Sequence, residues 1–384
     1  MNRREISTVA LGTLLSVCGS GPFYVAPAFL GELQRSLGLS LGQLGMISGA
    51  ENLGIALACM LTSWRLGQVD RRVIFMAAMV CVGGNALIAF ATDFYQVLAI
   101  RALTGFFGEG PLYAMGYLIL GSARSPDRAF GIGIGVVVIC AAIVFEAAGS
   151  PLLPFGPAAV LVPYAGFAVI LAMISALTRY TLPVVAPTGE ESASGVRFRV
   201  LAALMSIILW SAAAAAFWAF TDTASATLHV DQAAIAHALS VALLVGLVGM
   251  VVPVLLGDRL GRAIPLGLAT AGLIVSCFLF LGGGDWVQLA IALSIQQFSW
   301  NVAVVYQLAG VASIDAGGRY SAYGAVAQIG GMAAGPVIAG AALGLHGYAT
   351  LPFVVMALGL AAFTLFVLPA PSGSRNTRLK ADEA

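Results

Sequence analysis

Residues 233–262 read AAIAHALSVALLVGLVGMVVPVLLGDRLGR, and the first twenty-four of them contain no Asp, Glu, Lys or Arg. A helix of that length rises about 36 Å, at 1.5 Å per residue. That is enough to cross a hydrocarbon core about 30 Å thick. The charges return abruptly at Asp258, Arg259 and Arg262. An apolar run that long, closed by a basic turn, predicts a helix that spans a membrane and ends at its cytoplasmic surface.

The same pattern extends in both directions. Apolar runs occupy roughly 6–30, 42–64, 73–92, 95–121, 129–153 and 157–179 in the first half. In the second half they occupy roughly 199–222, 233–256, 264–283, 286–310, 320–344 and 349–369. The reading is an all-α integral membrane protein with about twelve transmembrane helices. Composition agrees: hydrophobic residues make up 60%, charged residues 9%, and mean hydropathy is +0.97. A soluble domain carries about 25% charged residues to keep its surface wet. Arg3 and Arg4 before an apolar run resemble a signal peptide, but the run continues past Cys18 to Leu30 and predicts a first span instead. Cys18, Cys59, Cys81, Cys140 and Cys277 all fall in apolar runs without metal-type spacing.

The basic residues orient the chain. Arg3, Arg4, Arg65, Arg71, Arg72, Arg124, Arg128, Arg179, Arg197, Arg199, Arg259, Arg262, Arg319, Arg375, Arg378 and Lys380 fall on one side of the map. Arg35 alone falls on the other, and Arg101 lies within a span. The asymmetry predicts both termini in the cytoplasm, with a bacterial inner membrane as the expected location. The opposite, acidic face carries Asp93, Asp231 and Asp285 in short loops. Net charge is +1, which gives no bulk reason to expect a nucleic-acid partner.

Residues 181–198 contain Pro183, Pro187, Gly189, Glu190 and Glu191 and read as a flexible cytoplasmic linker. It separates a first bundle, residues 1–180, from a second, residues 199–371, with a tail at 372–384. The halves echo each other weakly. Asp70-Arg71 follows the second span as Asp258-Arg259 follows the eighth, and Phe23-Tyr24 in the first span is echoed by Phe217-Trp218 in the seventh. Repeated halves of this kind are typical of secondary transporters, whose substrates bind near the midplane between the repeats.

Four ionisable residues fall within predicted spans: Glu51, Arg101, Glu109 and Glu146. Each costs on the order of 2.5–3.5 kcal/mol at a helix centre, so each needs a reason to be there. Arg101 is expected to pair with Glu51 or Glu146, and Glu109 to lie deepest. Three acids against one base leave a carboxyl free to exchange protons, which makes all four proton-coupling candidates. Gly131-Ile132-Gly133-Ile134-Gly135 follows no strand and reads as close helix packing, and no phosphate-binding Lys motif appears, so no nucleotide or other cofactor is expected.

The chain resembles the major facilitator superfamily over nearly its whole length. The residues that carry the resemblance are Asp258-Arg259-Leu260-Gly261-Arg262, the degraded first-half copy Gly67-Gln68-Val69-Asp70-Arg71-Arg72, and Arg101 with Gly105 in the fourth span. The fifth span has only Gly149-Ser150-Pro151, while the eleventh carries Gly331-Met332-Ala333-Ala334-Gly335-Pro336. The drug or metabolite proton-antiporter branch is suggested. The resemblance implies two pseudo-symmetric six-helix bundles, with Asp70, Arg71, Arg72, Asp258, Arg259, Gly261 and Arg262 as gating residues. It also implies a cavity lined by the first, fourth, seventh and tenth spans. Tyr24, Glu109, Trp218, Gln297, Trp300 and Asn301 are the substrate-binding residues expected on that basis. Asp222 and His237 fall near outer span ends, where water is expected to hydrate them. The implied activity is proton-coupled efflux of a small drug-like or metabolite solute. Uptake of a small organic acid, or sensing without transport, stands as the alternative. Protons and the bilayer are the expected partners, no catalytic residues are expected, and two bundles in one chain can make a complete, monomeric unit.

Overall fold

The computed structural model describes residues 3–65, 68–149, 156–177, 182–183, 194–257, 259–314 and 323–367. Fifteen α-helices carry it: α1 Arg3–Tyr24, α2 Ala26–Leu37, α3 Leu41–Arg65, α4 Arg71–Leu87, α5 Phe94–Thr104, α6 Gly110–Gly121, α7 Pro126–Ala148, α8 Pro157–Leu177, α9 Ser194–Ala219, α10 Ser225–Leu228, α11 Gln232–Leu256, α12 Ala263–Leu281, α13 Trp286–Ile314, α14 Tyr323–His346 and α15 Leu351–Val367. Among the described residues, eleven helices are long and apolar enough to cross a membrane unaided. The twelfth expected span, the fourth, is crossed in pieces, because α5 and α6 are joined by a π-helical turn, Gly105–Glu109. Three glycines and Pro111 cluster there, and each weakens regular α-helix pairing. The first span is broken similarly at Val25, between Pro22 and Pro27.

Large apolar side chains such as Met76, Ile143, Val254, Leu268 and Leu345 are exposed around the outside. In lipid this belt is the favoured surface, and helices associate through close packing of small residues. Gly331 and Gly335 of α14 lie against the backbone carbonyls of Ile208 and Ala212 in α9, where any side chain would collide. Of the Gly131 to Gly135 run, expected as close packing, only Gly133 meets a neighbouring helix, at Leu120, while Gly131 and Gly135 face open space.

The contact pattern divides the helices into two sets. In the first half α1 packs on α6, α7 and α8, α3 on α5 and α6, and α4 on α8. In the second half α9 packs on α14 and α15, α11 on α13, and α12 on α13 and α15. The halves meet chiefly through α3 against α14 and α7 against α11. These two seams exchange under the half-to-half repeat, since α3 corresponds to α11 and α14 to α7.

The close contacts across both seams lie towards the acidic face. Gly45 and Gly49 of α3 abut the carbonyls of Pro336 and Ala333, Gly340 abuts that of Leu41, and Gly149 abuts Ala233 and Ala236. On the basic face, Gln68–Val69 pairs as a short antiparallel ladder with Leu182–Pro183. The expected flexible linker at 181–198 is thus tied down at its start, and α9 begins inside it at Ser194. The rest of that linker and the tail at 372–384 lie outside the described residues.

Candidate functional site

Arg101 is fully buried, and all three nitrogens of its guanidinium donate hydrogen bonds. Nε donates to Glu51 Oε2 at 3.0 Å, and Nη2 also meets Glu51 Oε1. Nη1 donates to Asn85 Oδ1 at 2.9 Å, and Nη2 to Glu109 Oε1 at 2.8 Å. The ring of Phe29 covers the guanidinium at 5.4 Å. Four helical segments therefore converge on one cation: α3, α4, α5 and the π turn.

The π turn makes this geometry possible. Residues eight apart on a straight α-helix differ by about 80° in direction, at 3.6 residues per turn. The wider π turn removes most of that difference and sets Glu109 above Arg101 on one face. Gly105 lets α3 approach, because its missing side chain leaves room for the Glu51 backbone carbonyl. Gly54 does the same for Ala102 and Phe106 from the other side.

The cluster holds one positive group and two carboxyls. With both carboxyls ionised it carries a net charge of −1 in a dry site, and one bound proton neutralises it. Glu109 Oε2 is buried and has no hydrogen-bond partner among the described residues. A dry, unpartnered carboxylate oxygen is costly to maintain.

Glu146 is not part of this cluster. It sits on α7 about half exposed and meets His237 Nδ1 of α11 at 2.8 Å. Similar depth along two helices does not make their side chains point at one another, and α7 turns Glu146 towards α11. His237 is likewise paired, with its ring against Trp286 at 5.0 Å.

A central cavity of about 40 Å³ lies between the halves. The first half lines it with Ser20, Tyr24, Asn52, Tyr113 and Tyr117, and the second half with Trp300, Gln328 and Met332. A narrower continuation runs past Phe23 and Tyr24 to Trp218, Gln296 and Gln297. Tyr113 and Tyr117, one helical turn apart, stack with ring centres 4.3 Å apart. Trp218 Nε1 donates across the halves to the Tyr24 carbonyl at 3.2 Å. Among the described residues, neither stretch of lining includes a charged side chain. Ligand sites for drug-sized molecules occupy about 300–1,000 Å³, so a solute enters here only as the halves separate.

Of the expected substrate-binding residues, Tyr24, Trp218, Gln297 and Trp300 line this space. Glu109 and Asn301 do not. Glu109 points away into the Arg101 cluster, and Asn301 Nδ2 donates to the Gln297 carbonyl one turn back while its side chain lies against Gly246 of α11. Sequence reasoning misses Asn52, Asn85, Tyr113, Tyr117 and Gln328. The spacing of the two tyrosines in the fourth span is the available signal. Amides in apolar runs give another, weaker one.

The two centres share backbone. Glu51 faces Arg101 while its neighbour Asn52 faces the cavity, and Glu109 lies one turn before Tyr113.

Asp222, expected to be hydrated, is 3% exposed. Arg35 Nη2 donates to its Oδ2 at 2.8 Å and to Glu32 Oε1 at 2.8 Å, and Gln232 Nε2 also reaches Glu32 at 2.9 Å. This network joins the halves on the acidic face. Among the expected gating residues, Asp70 caps α4 by accepting the Arg72 backbone N–H at 2.9 Å. Arg71 is partly buried, and Arg72 and Arg259 are exposed. Gly261 takes a left-handed φ of 64°, and Arg262 donates to Ser313 Oγ. Asp258 lies outside the described residues.

The fold is that of known transporters. The chain superposes on the crystal structure of a mutant form of the nucleoside transporter NupG with a TM-score of 0.73 at 14% identity, covering 93% of this chain and 98% of that one. Against a second crystal structure of NupG the TM-score is 0.72 at 14% identity, covering 96% of this chain and 100% of that one. A bacterial homologue of the human lysosomal transporter Spinster, inward-facing and unoccupied, gives 0.64 at 13% identity, covering 96% of this chain and 95% of that one. No family model matches the sequence. No curated protein matches it either. The chain therefore has a major-facilitator-type membrane fold, and its helices place it within a bilayer.

Proposed function

We propose that this protein is a secondary transporter that carries a neutral, aromatic small molecule by alternating access, with a proton bound at the Glu51–Arg101–Glu109 cluster. The observation that carries the reading is the separation of the two centres: an uncharged aromatic cavity between the halves and a sealed ion cluster directly behind it. Tyrosine and tryptophan faces suit a flat ring, and Asn52, Gln297 and Gln328 offer amide edges for its polar rim. A nucleoside has that chemistry, and NupG, named as a nucleoside transporter, shares the fold. The lining disfavours an organic acid. A carboxylate solute needs a cation to meet, and Arg101 is buried away from the cavity and held by Glu51, Asn85 and Glu109.

Coupling follows from the shared helices. Protonating one carboxyl loosens its hold on Arg101, and α3 and the π turn then shift Asn52 and Tyr113 at the cavity. Export in exchange for protons is the direction we propose, on the aromatic lining and the single fourth-span arginine. Contacts between the halves close the acidic face in this state.

The test is flux in proteoliposomes with an imposed pH gradient, using labelled uridine and a labelled aromatic carboxylate. Gradient-driven movement of uridine opposite to protons supports the reading. Movement of the carboxylate alone reinstates the organic-acid alternative. Binding of either without flux points to a sensor.

A further inference from the structure

A second cavity, larger than the central one, lies elsewhere in the protein. On the basic face of the second half, a cavity of about 440 Å³ opens between the first turns of α9, the last turns of α13 and α15, and the turn joining α11 to α12. All of its described lining comes from the second half, so these walls move as one when the halves rock against each other. That property suits a resident ligand and does not suit the transported solute.

Its chemistry is split. Phe198, Leu365 and Phe366 supply apolar wall, and Phe198 is 51% exposed. Arg199 and Arg262 supply two cations, with Arg262 steadied by its bond to Ser313 Oγ and by the left-handed turn at Gly261. No carboxylate is among the described lining residues. The cavity lies on the basic face where α13 and α15 end and α9 begins, and Leu201, nearby on α9, is exposed. A ligand that fills it needs an anionic head and an apolar body, and it reaches the site from the bilayer.

We propose that this cavity is a binding site for an anionic phospholipid, with the phosphate held by Arg199 and Arg262 and an acyl chain along Phe198, Leu365 and Phe366. Basic pockets between helices at a membrane surface are suited to such head groups. The proposal is independent of the transported solute.

Native mass spectrometry of the purified full chain tests it. The protein is titrated with phosphatidylglycerol or with phosphatidylcholine of the same acyl chains, with and without excess glycerol 3-phosphate. Phosphatidylglycerol should be retained preferentially. The preference should fall about fivefold in Arg199→Gln and again in the Arg199→Gln/Arg262→Gln pair, the weight of one basic side chain per step at an anionic surface. Arg199→Lys should keep most of it, which separates loss of charge from loss of packing. Ala202→Trp, which fills the cavity, should remove the preference with both arginines present. Equal retention of the two lipids, or a preference unchanged by Arg199→Gln and Ala202→Trp, overturns the proposal. Displacement of the lipid by glycerol 3-phosphate also overturns it, in favour of a soluble-anion site.

Discussion

Arg35 and Asp222 are 187 positions apart in the chain and 2.8 Å apart in space. They tie α2 to the turn that follows α9 on the acidic face, and Glu32 and Gln232 complete the bridge. Because Asp222 is buried, its carboxylate depends on Arg35 for compensation. Arg35→Ala is expected to weaken the closed state by about 1–3 kcal/mol, the worth of a charge-assisted hydrogen bond. That is roughly a 5- to 150-fold change in population. Spin-label distances between Thr92→Cys and His346→Cys, in a background lacking the five native cysteines, should shift towards longer separations. Gly31→Ala should act alike, since its new Cβ would fall on the Asp222 carboxylate. Unchanged distance distributions in both variants would show that the pair does not hold the acidic face shut.

The Arg101 cluster makes a graded prediction. Arg101→Ala strands two buried carboxyls and should cost about 3–5 kcal/mol of stability. Glu51→Gln loses the two-pronged partner, and Glu109→Gln only a single contact. The order of loss in thermal stability should therefore be Arg101→Ala, then Glu51→Gln, then Glu109→Gln. Arg101→Lys should not rescue, because an ammonium cannot reproduce the planar fork that reaches Glu51, Asn85 and Glu109 together. If Glu109→Gln keeps solute counterflow but loses dependence on the pH gradient, Glu109 carries the proton. If the gradient still drives flux in Glu109→Gln, coupling lies elsewhere.

The bilayer makes much of this architecture readable in advance. Spanning lengths and basic loops are imposed by the solvent, so eleven of the twelve expected spans appear as unaided crossing helices. Arg101 and Glu109 stand out because charge within an apolar run is costly. Asn85 and Asn52 do not, since an amide carries a far weaker penalty, and sequence alone does not say which way it points. Glu51 and Glu146 are alternatives for Arg101 in the sequence for the same geometric reason: depth can be counted along a chain, whereas direction around a helix depends on packing. The π turn hides behind Gly105, Gly108 and Gly110, residues that fit a straight transmembrane helix on hydropathy alone. Arg35 and Asp222 look like hydrated loop charges until the halves are brought together.

Solute recognition should depend on the cavity residues and not on the ion cluster. Asn52→Ala and Gln328→Ala each remove one amide edge and should raise the solute Kd about fivefold to tenfold, as for one hydrogen bond. Tyr113→Phe should be mild, while Tyr113→Leu also breaks the stack on Tyr117 and should weaken binding of flat solutes further. Solute-induced quenching of tryptophan fluorescence is a suitable readout, since Trp300 lines the cavity and Trp218 its continuation. In each variant that still transports, the pH-gradient dependence should persist. Loss of that dependence together with affinity would mean that the two centres are one.

Gly105 links packing to the proposed coupling most directly. A methyl group there would meet the Glu51 carbonyl, and α3 has little freedom to retreat because Gly45 and Gly49 already lie against Pro336 and Ala333 of α14. Gly105→Ala should therefore displace Glu51 from Arg101, and Gly105→Val should displace it further. Overpacking of this kind typically costs about 1–3 kcal/mol. The expected result is a stepwise fall in thermal stability from the parent to Gly105→Ala to Gly105→Val. Gradient-driven flux should fall further than counterflow, because coupling depends on Glu51 geometry while passive exchange depends on the cavity. Gly83, whose added Cβ meets nothing within 4 Å, is the matched control, and Gly83→Ala should leave both fluxes near the parent level. Equal losses of driven flux and counterflow in Gly105→Ala would mean that the π turn serves packing alone.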